Sequence, residues 1–134
     1  MAEERSFELE IITPERSFYK NMVTMVEFNT TEGQIGVYKN HIPMTVIIKP
    51  GVLTITEEEG KKQAALHAGF ATILQEKVTI LAEVIEWPDE IDLERAESAR
   101  TRAEERLRAG DAATDIVRAE TALLRAMARI NTIR

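Results

Sequence analysis

The sequence predicts a mixed β and α chain, with a strand-rich first part built as an antiparallel sandwich or barrel and two α-helices after it. Three observations carry this. Apolar residues recur at every second position in short runs as far as Ile85. From Leu93 onward they recur at helical spacing instead. The basic residues change kind at the same place: all six lysines lie at or before Lys77, and all nine basic residues after residue 90 are arginine.

The strand elements follow in order. Phe7, Leu9 and Ile11 alternate with polar residues until Thr13-Pro14 stops the run. Met22 to Phe28 is a second run, closed by the turn Thr30-Thr31-Glu32-Gly33. Val46-Ile47-Ile48 ends at Lys49-Pro50-Gly51, and Val52 to Thr56 resumes beyond it. Glu57 to Lys61 is a polar loop before Gln63 to His67. Gly69-Phe70 then precedes Thr72 to Leu74, and Gln75-Glu76-Lys77 turns the chain into Val78 to Ile85. Trp87-Pro88-Asp89-Glu90 reads as the turn between the two parts, which divides the chain into residues 1–86 and 87–134.

Two helices complete the chain. Asp92 is a fit N-cap, with Asp89 as a rival, and Leu93, Ala96, Ala99, Ala103 and Leu107 form one stripe. Ala109 to Thr114 breaks the helix. Thr114 or Asp115 caps the second, whose stripe is Ile116, Ala119, Leu123, Ala126 and Ile130. A shift of 23 residues lays Asp92 on Asp115, Arg95 on Arg118, Arg102 on Arg125 and Arg106 on Arg129. At 100° per residue, Arg95, Arg102 and Arg106 share one face, and Arg118, Arg125 and Arg129 share another, both away from the apolar stripes.

Composition narrows the function. The chain has 134 residues, 44% hydrophobic and 30% charged, enough for one domain with a real core, or a small domain plus an appendage. It has no cysteine and two histidines, which leaves no disulfide framework or thiolate metal site. No apolar run reaches the ~20 residues of a membrane span, and Met1-Ala2-Glu3-Glu4-Arg5 is not expected to be a secretion signal. The net charge of -6 argues against indiscriminate binding to nucleic acid, as does the absence of a stacking aromatic in the helices. No nucleophile elbow, glycine-rich phosphate loop or metal-spaced carboxylate set is visible, so an enzyme is not expected. Glu57-Glu58-Glu59 reads as a solvated hairpin loop, because adjacent carboxylates converge poorly on one ion. His41 reads as a packing or partner-contacting loop residue, and His67 as a strand residue without a role.

The arginine faces leave two readings open. In one, the guanidiniums are solvated and pair at helical spacing with Glu94, Glu97, Glu104, Glu105 and Glu120. In the other, arginines of both helices converge on a polyanion such as a triphosphate, which relieves their mutual repulsion. The stripes are mostly alanine, so such a hairpin buries little, and a ligand at ~100 times its dissociation constant, adding ~2.7 kcal/mol, would decide its conformation.

Several short motifs then point to a family. Gly33-Gln34-Ile35-Gly36-Val37-Tyr38 followed by His41-Ile42-Pro43-Met44, with Pro50-Gly51-Val52-Leu53, Gly69-Phe70 and Lys77 to Glu83, resembles the epsilon subunit of bacterial F-type ATP synthase. Ile91-Asp92-Leu93-Glu94-Arg95-Ala96 resembles that family's [IL]-D-x-x-R-A motif, and Arg125 to Arg129 its second-helix text. Each piece is weak alone; together, in this order, they span both parts of the chain.

The resemblance implies an antiparallel β-sandwich of about ten strands and a C-terminal antiparallel helical hairpin. It implies a non-catalytic central-stalk rotor subunit, peripheral on the cytoplasmic face of the cell membrane and not inserted in it. Its partners would be the gamma subunit, the c-ring and, when the hairpin extends, the catalytic alpha/beta hexamer, whose ATP hydrolysis it would block. ATP, with or without magnesium, would bind the folded-down hairpin as a regulatory ligand. The positions that match the family's ATP site are Glu86, Ile91, Asp92, Arg95, Ala96, Arg102, Arg125 and Arg129. The alternative is a free-standing ATP-sensing adaptor module of the same architecture.

Overall fold

The computed structural model describes residues 2–110 and 115–134. A short helix α1 (Ala2–Arg5) precedes eight strands: β1 (Phe7–Ile12), β2 (Ser17–Val23), β3 (Met25–Thr30), β4 (Gly33–Val37), β5 (Met44–Ile48), β6 (Gly51–Glu57), β7 (Gly60–Ile73) and β8 (Lys77–Glu86). A 3-10 turn (Pro88–Glu90) leads to the helices α2 (Leu93–Ala109) and α3 (Ile116–Ile133).

The strands hydrogen-bond in the order β2-β1-β8-β7-β5-β3-β4, with β6 bridging β3 and β7. β7 makes this sheet fold on itself. Its first half, Gly60 to Leu66, pairs with β6, and its second half, Gly69 to Ile73, pairs with β5. The switch falls at a bulge, since Leu66 and Ala68 face the consecutive residues Ile85 and Val84 and leave His67 between them. Gly69 follows at φ 135°, and a Cβ there would lie 1.9 Å from the Leu81 carbonyl oxygen, so only glycine fits this corner. All pairs are antiparallel except β1 with β8, which run parallel.

The resemblance implies about ten strands; the structure has eight among the described residues. The runs Gln63 to His67 and Thr72 to Leu74 belong largely to one bent strand, β7, because the bulge turns the ladder without ending it. The expected run Met22 to Phe28 is instead divided at Thr24, whose amide and hydroxyl both bond the Thr56 carbonyl.

The core matches the period-2 pattern. Phe7, Leu9 and Ile11 of β1 meet Val26 and Phe28 of β3, Leu53 and Ile55 of β6, and Val78 and Ile80 of β8, all at most 1% exposed. Each such side chain contributes about 1.5–3 kcal/mol of burial.

The helices form an antiparallel hairpin, pinned where Arg134 at the end of α3 meets Glu97 near the start of α2 at 2.9 Å. Asp92 and Asp115 start them identically, each accepting the amide of the third residue on, Arg95 or Arg118. Asp115 is thus the cap of α3; the rival Thr114 and the expected break from Asp111 onward lie outside the described residues. Gly110 closes α2 in the left-handed conformation. α3 lies on β6 and β7, and α2 rides on α3. Ala96 and Ala103 of α2 and Ala119, Ala126, Ala128, Ile130 and Thr132 of α3 are buried. Ile116, expected on the apolar stripe, is instead 52% exposed.

Candidate functional site

The site forms where the last residue of β8 meets both helices. β7 buries four consecutive residues, Ala64 to His67, on two faces. Ala64 and Leu66 enter the core; Ala65 stands outside that cluster yet is fully buried. The alternation along the strand sends Ala65 and His67 to the opposite face, which α3 covers. His67, 1% exposed, bonds through Nε2 to Glu86 Oε1 at 2.9 Å. The same oxygen accepts from Arg129 Nε of α3 at 2.7 Å. One half-buried carboxylate therefore ties the sheet, a buried imidazole and the docked helix together.

The turn after β8 is fixed by aromatic packing. Trp87 stacks on Phe18 with ring centroids 4.4 Å apart, and Arg16 lies over the Phe18 ring at 5.0 Å. Arg16 also grips both carboxylate oxygens of Glu90 at 2.8 and 3.0 Å, while Glu90 accepts the Trp87 amide. Half-buried Ile91 ends the turn, and the Asp92 cap starts α2 in a set direction. Arg95, Ala96, Ala99 and Arg102 then fall on one face of α2.

A cleft of 420 Å³ results, lined by Glu86, Glu90, Asp92, Arg95, Ala96, Ala99, Arg102 and Arg129. That volume lies within the range of small-molecule sites. The fold brings six of the eight motif positions together: Glu86, Asp92, Arg95, Ala96, Arg102 and Arg129. Ile91 sits beside the cleft without lining it. Arg125 is exposed one turn before Arg129, near enough for its charge to act on His67.

The charges in the cleft are unequally engaged. Glu86 is held by Arg129 and His67, Glu90 by Arg16, and Asp92 by the α2 amide. Arg95 and Arg102 have no ion-pair partner among the described residues, although Glu105 lies one turn beyond Arg102 on the same helix. Two guanidiniums directed into a cleft whose acids are occupied make an acceptor for a polyanion. Among the described residues no cluster of His, Asp and Glu is arranged to hold a metal ion.

The electrostatics agree with the contacts. Burial pushes the Glu86 carboxyl up, but the hydrogen bonds from Arg129 and His67 together with the Arg129 charge outweigh it and hold it below the usual value. The Glu90 carboxyl is also lowered, first by the Trp87 amide and then by Arg16. Burial lowers His67, with Arg129 and Arg125 adding to the effect and Glu86 opposing it, so the surroundings favour the neutral imidazole.

Sequence reasoning missed three participants. His67 was assigned no role, because nothing local marks the bulge that turns it under α3. Glu90 was read only as part of a turn, and its partner Arg16 is 74 residues away. Ala99 was seen on the apolar stripe but not as a wall of the cleft.

The profile of the ATP synthase delta/epsilon chain β-sandwich domain matches residues 6–88, and that of the delta/epsilon chain long α-helix domain matches residues 89–134. The chain is 42% identical over 128 residues to the ATP synthase epsilon chain of Caldanaerobacter subterraneus subsp. tengcongensis, covering 95% of this chain and 93% of the relative. It is 38% identical over 132 residues to that of Natranaerobius thermophilus, covering 97% and 94%. Among solved structures, a chain of the Euglena gracilis mitochondrial ATP synthase superposes with a TM-score of 0.83 at 24% identity, covering 96% of this chain and 82% of that one, a likeness of fold.

Proposed function

The chain belongs to the ATP synthase epsilon-chain family, and on that premise we propose that it is a non-catalytic central-stalk subunit whose helical hairpin regulates ATP hydrolysis in response to ATP. The sandwich would bind the gamma subunit and rest on the c-ring, keeping this subunit peripheral on the cytoplasmic face of the membrane. Among the described residues no helix is long and apolar enough to cross a membrane.

One observation carries the regulatory part. The cleft exists only between the docked elements: Glu86 comes from the sheet, Arg95 and Arg102 from α2, and Arg129 from α3. A ligand bridging them stabilises the folded-down hairpin and no other state. In this proposal Arg95 and Arg102 receive the phosphates, and Arg125 and Arg129 close on them from α3. Asp92 fixes the helix start beside the base, with Ile91 and Ala96 as apolar contacts, and Glu86 accepts from the ribose. Loss of ATP would free the hairpin to extend along gamma toward the alpha/beta hexamer and block hydrolysis. Magnesium would accompany the triphosphate without a protein carboxylate cluster to hold it.

The test is titration of the isolated protein with ATP, ADP and GTP, read by Trp87 fluorescence and by calorimetry. Saturable, ATP-preferring binding that vanishes in the Asp92→Ala/Arg95→Ala variant supports the latch. Absence of heat and of any fluorescence change at millimolar ATP overturns it. Co-purification with gamma separates the stalk subunit from a free-standing adaptor module.

A further inference from the structure

We propose that docking of the hairpin is coupled to a proton at His67, so that acidification releases α3 from the sheet. The inference does not rest on nucleotide binding. It starts from the bulge that turns His67 out of the β7 ladder and under α3, where the ring is 1% exposed. Its Nε2 donates to Glu86 Oε1 at 2.9 Å, which leaves Nδ1 as the unprotonated nitrogen. That Nδ1 is buried with no hydrogen-bond partner among the described residues.

A second proton has nowhere favourable to go while the hairpin is docked. It would bury an N–H without an acceptor and place a positive charge beside Arg125 and Arg129 of α3. Among the described residues the facing carboxylate is Glu86 of β8, which already shares its oxygen with Arg129. β6 brings Gly51 and Val52, which carry no charge, opposite this stretch of β7. On the α2 side, Arg95 and Arg102 add positive charge, and Glu90 is held by Arg16. Burial accordingly lowers the His67 pKa in the docked form.

Undocking returns the ring to water and to the ordinary imidazole range near ~6.5. The undocked form therefore binds the proton more tightly. The ratio of docked to undocked molecules falls up to tenfold per pH unit as pH drops from that value toward the docked one. The hairpin buries chiefly alanines against the sheet and against itself, so it can leave while the sandwich stays folded.

Small-angle scattering of the full chain, without nucleotide, from about pH 8 to about pH 5.5 tests this in a range above carboxylate titration. The expected result is a reversible rise in radius of gyration with unchanged strand circular dichroism, abolished in His67→Gln and retained in His41→Gln. A pH-independent radius in the parent protein overturns the proposal, as does a His67→Gln variant with the parent's pH response. Should that variant not fold, the ring carbon resonances of the parent decide. Titration of His67 in step with the loss of α3 amide protection supports the coupling, and titration at the ordinary value with α3 still protected refutes it.

Discussion

Arg129 of α3 donates from Nε to Glu86 Oε1 at the end of β8, 2.7 Å away and 43 residues distant in sequence. It is the direct ionic link between the helical hairpin and the sandwich among the described residues. Both side chains are partly exposed, at 31% and 24%, so solvent screens the pair. Arg129→Ala should weaken hairpin docking by about 1 kcal/mol while leaving the sandwich intact. Faster hydrogen exchange confined to α2 and α3 is the expected signature; uniform acceleration across the strands would contradict it.

The caps should behave as a matched pair. Asp92→Ala and Asp115→Ala each remove the bond to the third amide onward and should each cost about 1 kcal/mol of helix stability. Helical circular dichroism on heating would show it, with the two variants shifted alike.

Gly69 should tolerate no side chain. Gly69→Ala forces a Cβ into the Leu81 carbonyl oxygen at a φ of 135° and should destabilise the sandwich by about 3 kcal/mol or more. Calorimetric melting measures this; an unchanged melting temperature would mean that β7 can cross between its two partners without the bend seen here.

Acid should act in a second window below that of His67. Glu86 and Glu90 have folded-state pKa values below the ordinary 4.5, so the unfolded state binds the extra protons as pH falls. Their stabilisation is present above about 4.5 and is lost as pH drops through the lower folded values. Denaturant titrations should show this loss near the carboxylate range. Glu90→Gln should reduce it, and a variant with undiminished acid sensitivity would show that other carboxylates dominate.

Much of this was legible locally. The alternation of Phe7, Leu9 and Ile11 specifies a half-buried strand, and the three-residue spacing from Asp92 to Arg95 specifies a cap, because both depend on near neighbours. The face shared by Arg95 and Arg102 follows from helical geometry alone. That the runs on either side of His67 form one strand was not legible, because a bulge there bends the ladder without ending it and Gly69 reads locally as a break. That Arg129 pairs with Glu86 was equally out of reach: no acid lies one turn from it on α3, and its partner depends on which surface α3 meets.

The sequence by itself determined the division into strands and arginine-rich helices, the helix starts and the face on which Arg95 and Arg102 stand. Each rests on φ/ψ preference, capping or periodicity within a few residues. Only the tertiary structure decided that Glu86, His67 and Arg129 form one network, that Arg16 occupies Glu90, and that Arg95 and Arg102 are left beside them without ion-pair partners among the described residues. Contacts between residues 43 or 74 positions apart depend on how the sheet folds and where the hairpin docks, and no local preference encodes that choice.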